Sequence, residues 1–213
     1  MDTLSVDSLH VNCSVPEFMN LGELYERRLY LFGEIASVDS STDDFFPAAS
    51  PVSVLVKKIF SINFEDKDVP LEKREPIFLY INSPGGELTE GFSLIATMEL
   101  SKTPIYTVNI GEWCSMAFLI GITGDRRYSL PYMTFLMHEA SGISVGKISS
   151  MEEKISFNRH FSENVIKKHV LKHSKLSEKD YNLIANKELY LLPEEAKDYG
   201  FIDEIITDID VIL

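Results

Sequence analysis

Basic side chains, cysteine and long apolar runs are all scarce in this chain of 213 residues. Lysine and arginine number 20 against 33 aspartates and glutamates, a formal charge of −13. A protein that grips duplex nucleic acid needs a basic face to displace counterions from phosphates, so that partner class is excluded. The 2 cysteines, Cys13 and Cys114, are too few for a disulfide framework, and their separation fits no zinc-site spacing. The longest apolar stretch, residues 116–122, falls far short of the ~18 residues of a membrane span. Residues 1–20 carry Asp2, Asp7 and Glu17 where a secretory leader has a basic start and an apolar run. A reducing, cytoplasmic setting is therefore expected, with neither nucleic acid nor membrane as a partner.

What is present suits a folding chain: 45% apolar, 25% charged and 11% aromatic residues, in a length that fits one core. The acidic excess leans forward. Residues 1–70 hold 12 acids and 5 bases, and residues 71–213 hold 21 and 15.

Residues 1–26 show no strong period and read as an arm, followed by a strand over 28–35 and a polar, acidic stretch over 36–50 that reads as an insertion. Ser50 and Pro51 supply an N-cap and a first-turn proline for a helix whose apolar positions are Val52, Leu55, Ile59 and Phe60. After a charged loop over 65–75, apolar runs alternate with amphipathic segments. Strands are expected at 77–81, 105–110 and 132–137, with helices at 88–100 and 115–122. That alternation predicts an α/β fold with right-handed crossovers and a largely parallel sheet. A long helix is expected from 146 to about 173, with Ile148, Met151, Ile155, Val165, Ile166 and Val170 among its apolar positions. Ser177 then caps a short helix, another runs over 193–199, and a last strand covers 201–206.

Three strand ends carry chemistry. INSPGG (81–86) follows a strand: Pro-Gly suits a plain type II turn, and paired glycines equally let amides approach a developing negative charge. Ser115 stands at a strand-to-helix junction, either as an ordinary N-cap or as a nucleophile whose following amide faces the oxygen it generates. His138 closes the next apolar strand, on the edge where α/β sheets collect ligands. Coincidence is a poor account of all three.

INSPGG (81–86), G-x-x-x-S-M (111–116), M-H (137–138) and EEAKDYGFIDEI (194–205) together resemble the proteolytic subunit of the Clp protease, a serine peptidase, over about residues 28–206. The resemblance implies a fold of repeated β-β-α units shared with crotonases, with a protruding long-helix handle over about 139–175. It implies residues 1–26 as an axial arm, one peptidase domain over 27–213, and heptameric rings stacked as a tetradecamer around a sealed chamber. It also implies an ATP-driven unfoldase as partner and unfolded polypeptide as substrate. Ser115 falls on the nucleophile, His138 on the general base, and Gly86 and Met116 on the backbone oxyanion donors. Gly85, Ser141, Gly142 and Ile143 fall on the substrate-binding segments. No cofactor or metal is implied.

The sequence departs from the family where the triad's aspartate would stand, which here is Glu188, two residues before Tyr190. Glutamate performs the same orienting work in triads on other folds. The alternatives are a solvated Glu188 in a degenerate site, or Asn182 or Asn186 as a neutral orienting group. Ala117 stands where the family has glycine. A second reading is therefore a weak or inactive subunit co-assembled with an active paralogue, and a third is an acyl-CoA enzyme on the shared fold. Residues 142–147 only faintly resemble a phosphate loop, and nucleotide binding is discounted. His169 and His173, four apart on one helix, lack a visible third ligand, so a solvated helix face is the expectation. Cys114 is expected to be a small buried side chain.

Overall fold

A computed structural model describes residues 27–36, 50–141 and 145–213. The arm over 1–26 and most of the stretch over 36–50 lie outside the described residues, as do Gly142 and Ile143.

Strand β1 (Arg28–Phe32) ends at Gly33, whose positive φ turns the chain aside. Helix α1 (Pro51–Glu65) opens as its sequence predicts: Ser50 Oγ accepts from the Ser53 amide and Pro51 occupies the first turn. Its buried positions are Val52, Leu55, Ile59 and Ile62, while Phe60 is 64% exposed. Phe60 was expected inward, but it lies one step of ~100° from Ile59 and so falls off a stripe already set by Leu55, Ile59 and Ile62. β2 (Ile77–Ser83), α2 (Leu88–Leu100), β3 (Ile105–Cys114) and α3 (Met116–Gly121) follow.

The strands β4 (Arg126–Ser129), β5 (Thr134–Met137), β6 (Leu189–Leu191) and β7 (Glu204–Ile205) complete a sheet whose main path is β1-β2-β3-β4-β7, all parallel. β2 covers one edge of β3, so β4 and β5 must share the other. β4 pairs with residues 106–109 of β3, and β5 with residues 112–114. The sheet thus forks along β3, and the upper branch ends in an antiparallel pair of β5 with β6.

Two of these strands went unread in the sequence. Arg126-Arg127 gives β4 a charged start, and three-residue β6 is too short to show a period. The last strand is only Glu204–Ile205, because Phe201 and Ile202 pack into the core from a turn instead.

The larger core lies between the helices and one sheet face, where Leu29, Leu31, Leu79, Ile81 and Ile105 meet α1, α2 and α3. Every residue of α3 is buried. The other face carries a smaller aromatic cluster of Tyr80, Val108 and Tyr128 with Ile206 and Ile212, tied down where Tyr80 Oη donates to the Ile212 carbonyl.

The long helix is built in three parts: α4 (Ile148–Phe161), a π turn (Ser162–Ile166) and α5 (Lys167–Lys172). α4 buries none of its residues, and Ile148 and Ile155, expected on an inward stripe, are 72% and 49% exposed. The buried side chains of this stretch, His169 and Val170, lie on α5, while Ile166 of the π turn packs partly buried against the core and Phe161 of α4 meets Phe92 edge-on. α6 (Glu178–Ile184) starts where Ser177 Oγ accepts from the Asp180 amide, and α7 (Pro193–Asp198) precedes Gly200, at φ +75°.

Candidate functional site

Ser115 occupies the one-residue corner between β3 and α3, at φ 55° and ψ −119°. That region is costly for a residue with a Cβ, about 1–3 kcal/mol, so the surrounding structure must hold it. Its own amide donates to the Leu136 carbonyl of β5 at 2.8 Å, and its carbonyl accepts from the amides of Phe118 and Leu119. The side chain caps nothing in α3. The plain N-cap reading of Ser115 is therefore excluded, and its hydroxyl stands free of the helix it precedes.

The INSPGG turn is fixed beside this corner by its own polar atoms. Ser83 is fully buried and its Oγ accepts from the Gly85 amide at 3.1 Å. Asn82 Oδ1 accepts from the Glu112 amide at 3.2 Å, and its side chain lies where a Cβ on Gly111 would stand, 2.1 Å from Oδ1. A glycine at 111 is thus required by Asn82, a contact that the adjacent motifs name without revealing. Gly85, at φ +95°, is pressed against the serine corner: an added Cβ would sit 2.6 Å from the Cys114 oxygen, 2.7 Å from Ser115 Cβ and 2.8 Å from the Met116 nitrogen.

Gly86 forms a parallel bridge with Ile35, closed by the Ile35 amide on the Gly85 carbonyl at 2.8 Å and the Glu87 amide on the Ile35 carbonyl at 2.7 Å. Both bonds use the neighbours of Gly86, so its own N–H points away from that bridge. Met116 is the first residue of α3, where a helix leaves its amides without an internal acceptor. Neither amide has an acceptor among the described residues. Two donors unspent among the described residues therefore lie on the two segments that meet at Ser115. Met116 is held by Gly91 of α2, where an added Cβ would overlap the Met116 side chain at 2.2 Å.

His138 follows β5 directly and is half-buried. β5 runs parallel to β3 with Leu136 opposite Cys114, which sets His138 on the rim beside Ser115. The antiparallel register of β5 with β6 pairs Met137 with Leu189. One step further along the same register, His138 stands opposite Glu188, and opposed residues of an antiparallel pair share a face. Glu188 is exposed, and Tyr190 Oη donates to its Oε2 at 3.3 Å. The Glu188 charge in turn raises the Tyr190 phenol above its ordinary value. Among the described residues no hydrogen bond links Ser115, His138 and Glu188. Catalytic contacts of this kind often tighten only around substrate. Asn182 and Asn186 are both exposed on or just after α6.

The other expected positions fare differently. Both backbone groups of Gly85 are engaged inside the chain, its N–H by Ser83 and its carbonyl by Ile35, and the residue approaches Ser115 closely. Ser141 is exposed. Ala117 is fully buried in α3. Cys114 is buried, with Sγ donating to Glu112 Oε2 at 3.3 Å, and burial pushes its thiol up to about 12. It is a packed thiol and not a reactive one.

A separate group of side chains with metal-ligating atoms lies at the far end of α2: Glu99, His169 and His173. Burial pushes the His169 imidazole down to about 4, so it is neutral near pH 7. Glu99 is the third partner that two histidines four apart could not reveal, because it comes from a helix some seventy positions earlier in the chain.

The glycine turn, the strained serine and the histidine and glutamate rims of β5 and β6 all fall within residues 67–208, the segment matched by the family model for Clp protease. That match covers two thirds of the sequence and runs from before β2 to beyond β7. With this mixed α/β architecture, it shows that the chain belongs to the Clp protease family.

Proposed function

We propose that this protein is a serine endopeptidase that cleaves unfolded polypeptides inside a self-compartmentalised ring. Ser115 Oγ attacks the peptide carbonyl while His138 takes its proton and later delivers it to the leaving amine. Glu188 holds the His138 tautomer and balances the imidazolium that forms. The Gly86 and Met116 amides receive the oxyanion, and loss of one such donor costs roughly 10²–10³ in kcat. One observation carries the reading above the others: Ser115 is held at φ 55° with Gly85 pressed against it, and the next amide of each segment, Gly86 and Met116, has no acceptor among the described residues.

Strand addition along residues 140–146 is the substrate-binding mode that we assign, giving affinity through the backbone and little sequence selectivity. Assembly is supported by α4, none of whose residues is buried among the described residues and which exposes Ile148, Ile155 and Phe157. The partner in this proposal is an ATP-driven unfoldase, with residues 1–26 as the axial arm of a single peptidase domain and the cytoplasm as its compartment. The test is hydrolysis of a fluorogenic peptide by the assembled protein. Ser115→Ala should abolish turnover while leaving the oligomer intact, and retained turnover would remove Ser115 from its role.

The Tyr190 hydroxyl on Glu188 favours a second reading, a weak subunit that works beside an active paralogue. Its distinguishing result is turnover that stays near background in homo-oligomers and rises on mixing with the paralogue.

A further inference from the structure

We propose that Glu99, His169 and His173 form a binding site for a divalent transition cation of the zinc type, which clamps the base of the long helix to the end of α2. The ligand atoms, one from each residue, all lie within 4.8 Å of one another. A tetrahedral ion with bonds of about 2.0–2.2 Å to nitrogen and oxygen needs its ligand atoms roughly 3.3–3.5 Å apart. His173 Nε2 is already 3.4 Å from Glu99 Oε1, and His169 Nδ1 is 3.9 Å from the same oxygen, so both imidazoles stand within about half an ångström of tetrahedral spacing from the carboxylate, and the two imidazole nitrogens lie within 4.8 Å of each other.

The second observation is the orientation of His169. It is only 7% exposed, and its Nε2 lies 3.1 Å from the Leu119 carbonyl, which accepts and cannot donate. Nε2 must therefore carry the proton, with Thr123 Oγ1 also 3.1 Å away. The lone pair is left on Nδ1, 3.9 Å from Glu99 Oε1 and without a hydrogen bond among the described residues. A metal-binding histidine is ordinarily held in this way, its other nitrogen given to a backbone carbonyl. The π turn just before α5 changes the phase of the helix ahead of the segment that turns His169 inward, and such turns gather at functional sites.

Two imidazoles and one carboxylate suit zinc, or cobalt as its spectroscopic substitute, better than magnesium or calcium, which prefer oxygen. The fourth position is open for water. Lys172 is the competitor built into the site: its ammonium lies 2.7 Å from Glu99 Oε1 on a side chain 62% exposed, so it is free to swing out when a cation arrives. The nearby Arg127 is already committed to Asp203 and to the carbonyls of His173 and Gly200. A bound cation would join α5 to α2, the helix whose Gly91 seats Met116.

The test uses the full assembled chain, stripped with chelator and titrated with zinc against a chromophoric chelator, with thermal melting in parallel. One zinc per protomer is expected, together with a rise in melting temperature of several degrees. Glu99→Gln and His173→Gln should each weaken binding by about tenfold or more. Lys172→Met, at an exposed position that tolerates replacement, should strengthen it. Cobalt should give the visible bands of a tetrahedral site. Absence of zinc binding in both the parent protein and Lys172→Met would overturn the proposal. So would binding that survives Glu99→Gln and His173→Gln, or a Lys172→Met protein whose melting is lowered and indifferent to zinc.

Discussion

Gly85 stands so close to Ser115 that a Cβ placed on it would lie 2.7 Å from the serine's own Cβ. Non-bonded carbons do not approach so closely, and the clashing atoms on the other side belong to backbone, which cannot rotate away. The glycine pair of INSPGG is thus a spacing device: it lets one strand end reach the next, bringing Gly85 against Ser115 and the Met116 nitrogen.

Gly85→Ala follows directly. Its φ of +95° adds conformational strain to the clash. A loss of about 2 kcal/mol or more in urea unfolding is expected, with peptidase rates lowered at least a hundredfold because the corner at Ser115 must move. A variant with parental stability and rate would show that the contact is dispensable.

Glu188→Gln tests the triad's acid. The register that sets Met137 against Leu189 carries Glu188 to the position opposite His138. A neutral amide there would stabilise the wrong imidazole tautomer, and kcat should fall by roughly 10²–10⁴ with KM little changed. Glu188→Asp should recover part of the loss, since a shorter carboxylate is still an acceptor. An unchanged rate in Glu188→Gln would assign the orienting role elsewhere.

Asp66 gives the fold a defined acid sensitivity. Arg27 donates to both its oxygens, at 2.6 and 2.7 Å, and Thr103 Oγ1 donates at 2.7 Å, joining the start of β1, the end of α1 and the approach to β3. The Arg27 guanidinium holds the Asp66 carboxyl down at about 2. A depressed carboxyl binds fewer protons folded than unfolded, so its contribution is present above the unfolded value of about 3.9 and is lost as pH falls from there toward 2. Urea midpoints should therefore drop between about pH 5 and pH 2.5, by roughly 2 kcal/mol from this group. Asp66→Asn should be less stable at neutral pH and show a shallower acid slope.

Much of the scaffold was legible because its signals are local. Ser50-Pro51 caps α1, the run over 77–81 reads as a strand, and Leu88–Leu100 spans a helix whose stripe repeats at helical spacing. β6 escaped because three residues cannot show a period, and β4 because charge opens it. Ser115, His138 and the glycine turn were legible as three strand ends. Their convergence, the Asn82 contact on Gly111 and the role of Glu99 depend on which strands share an edge of β3 and where α5 lies on α2. Those are long-range facts that no local pattern carries. The outward face of α4 is the reverse case: its apolar spacing is real, but among the described residues Ile148, Ile155 and Phe157 stay exposed.

Reaction of the assembled protein with a fluorophosphonate probe tests most directly whether Ser115 is an activated nucleophile. Stoichiometric adduct at Ser115 is expected by peptide mass mapping, strongly reduced in His138→Ala and absent in Ser115→Ala. Assembled, folded protein that leaves Ser115 unlabelled, or labels equally well without His138, would contradict that role.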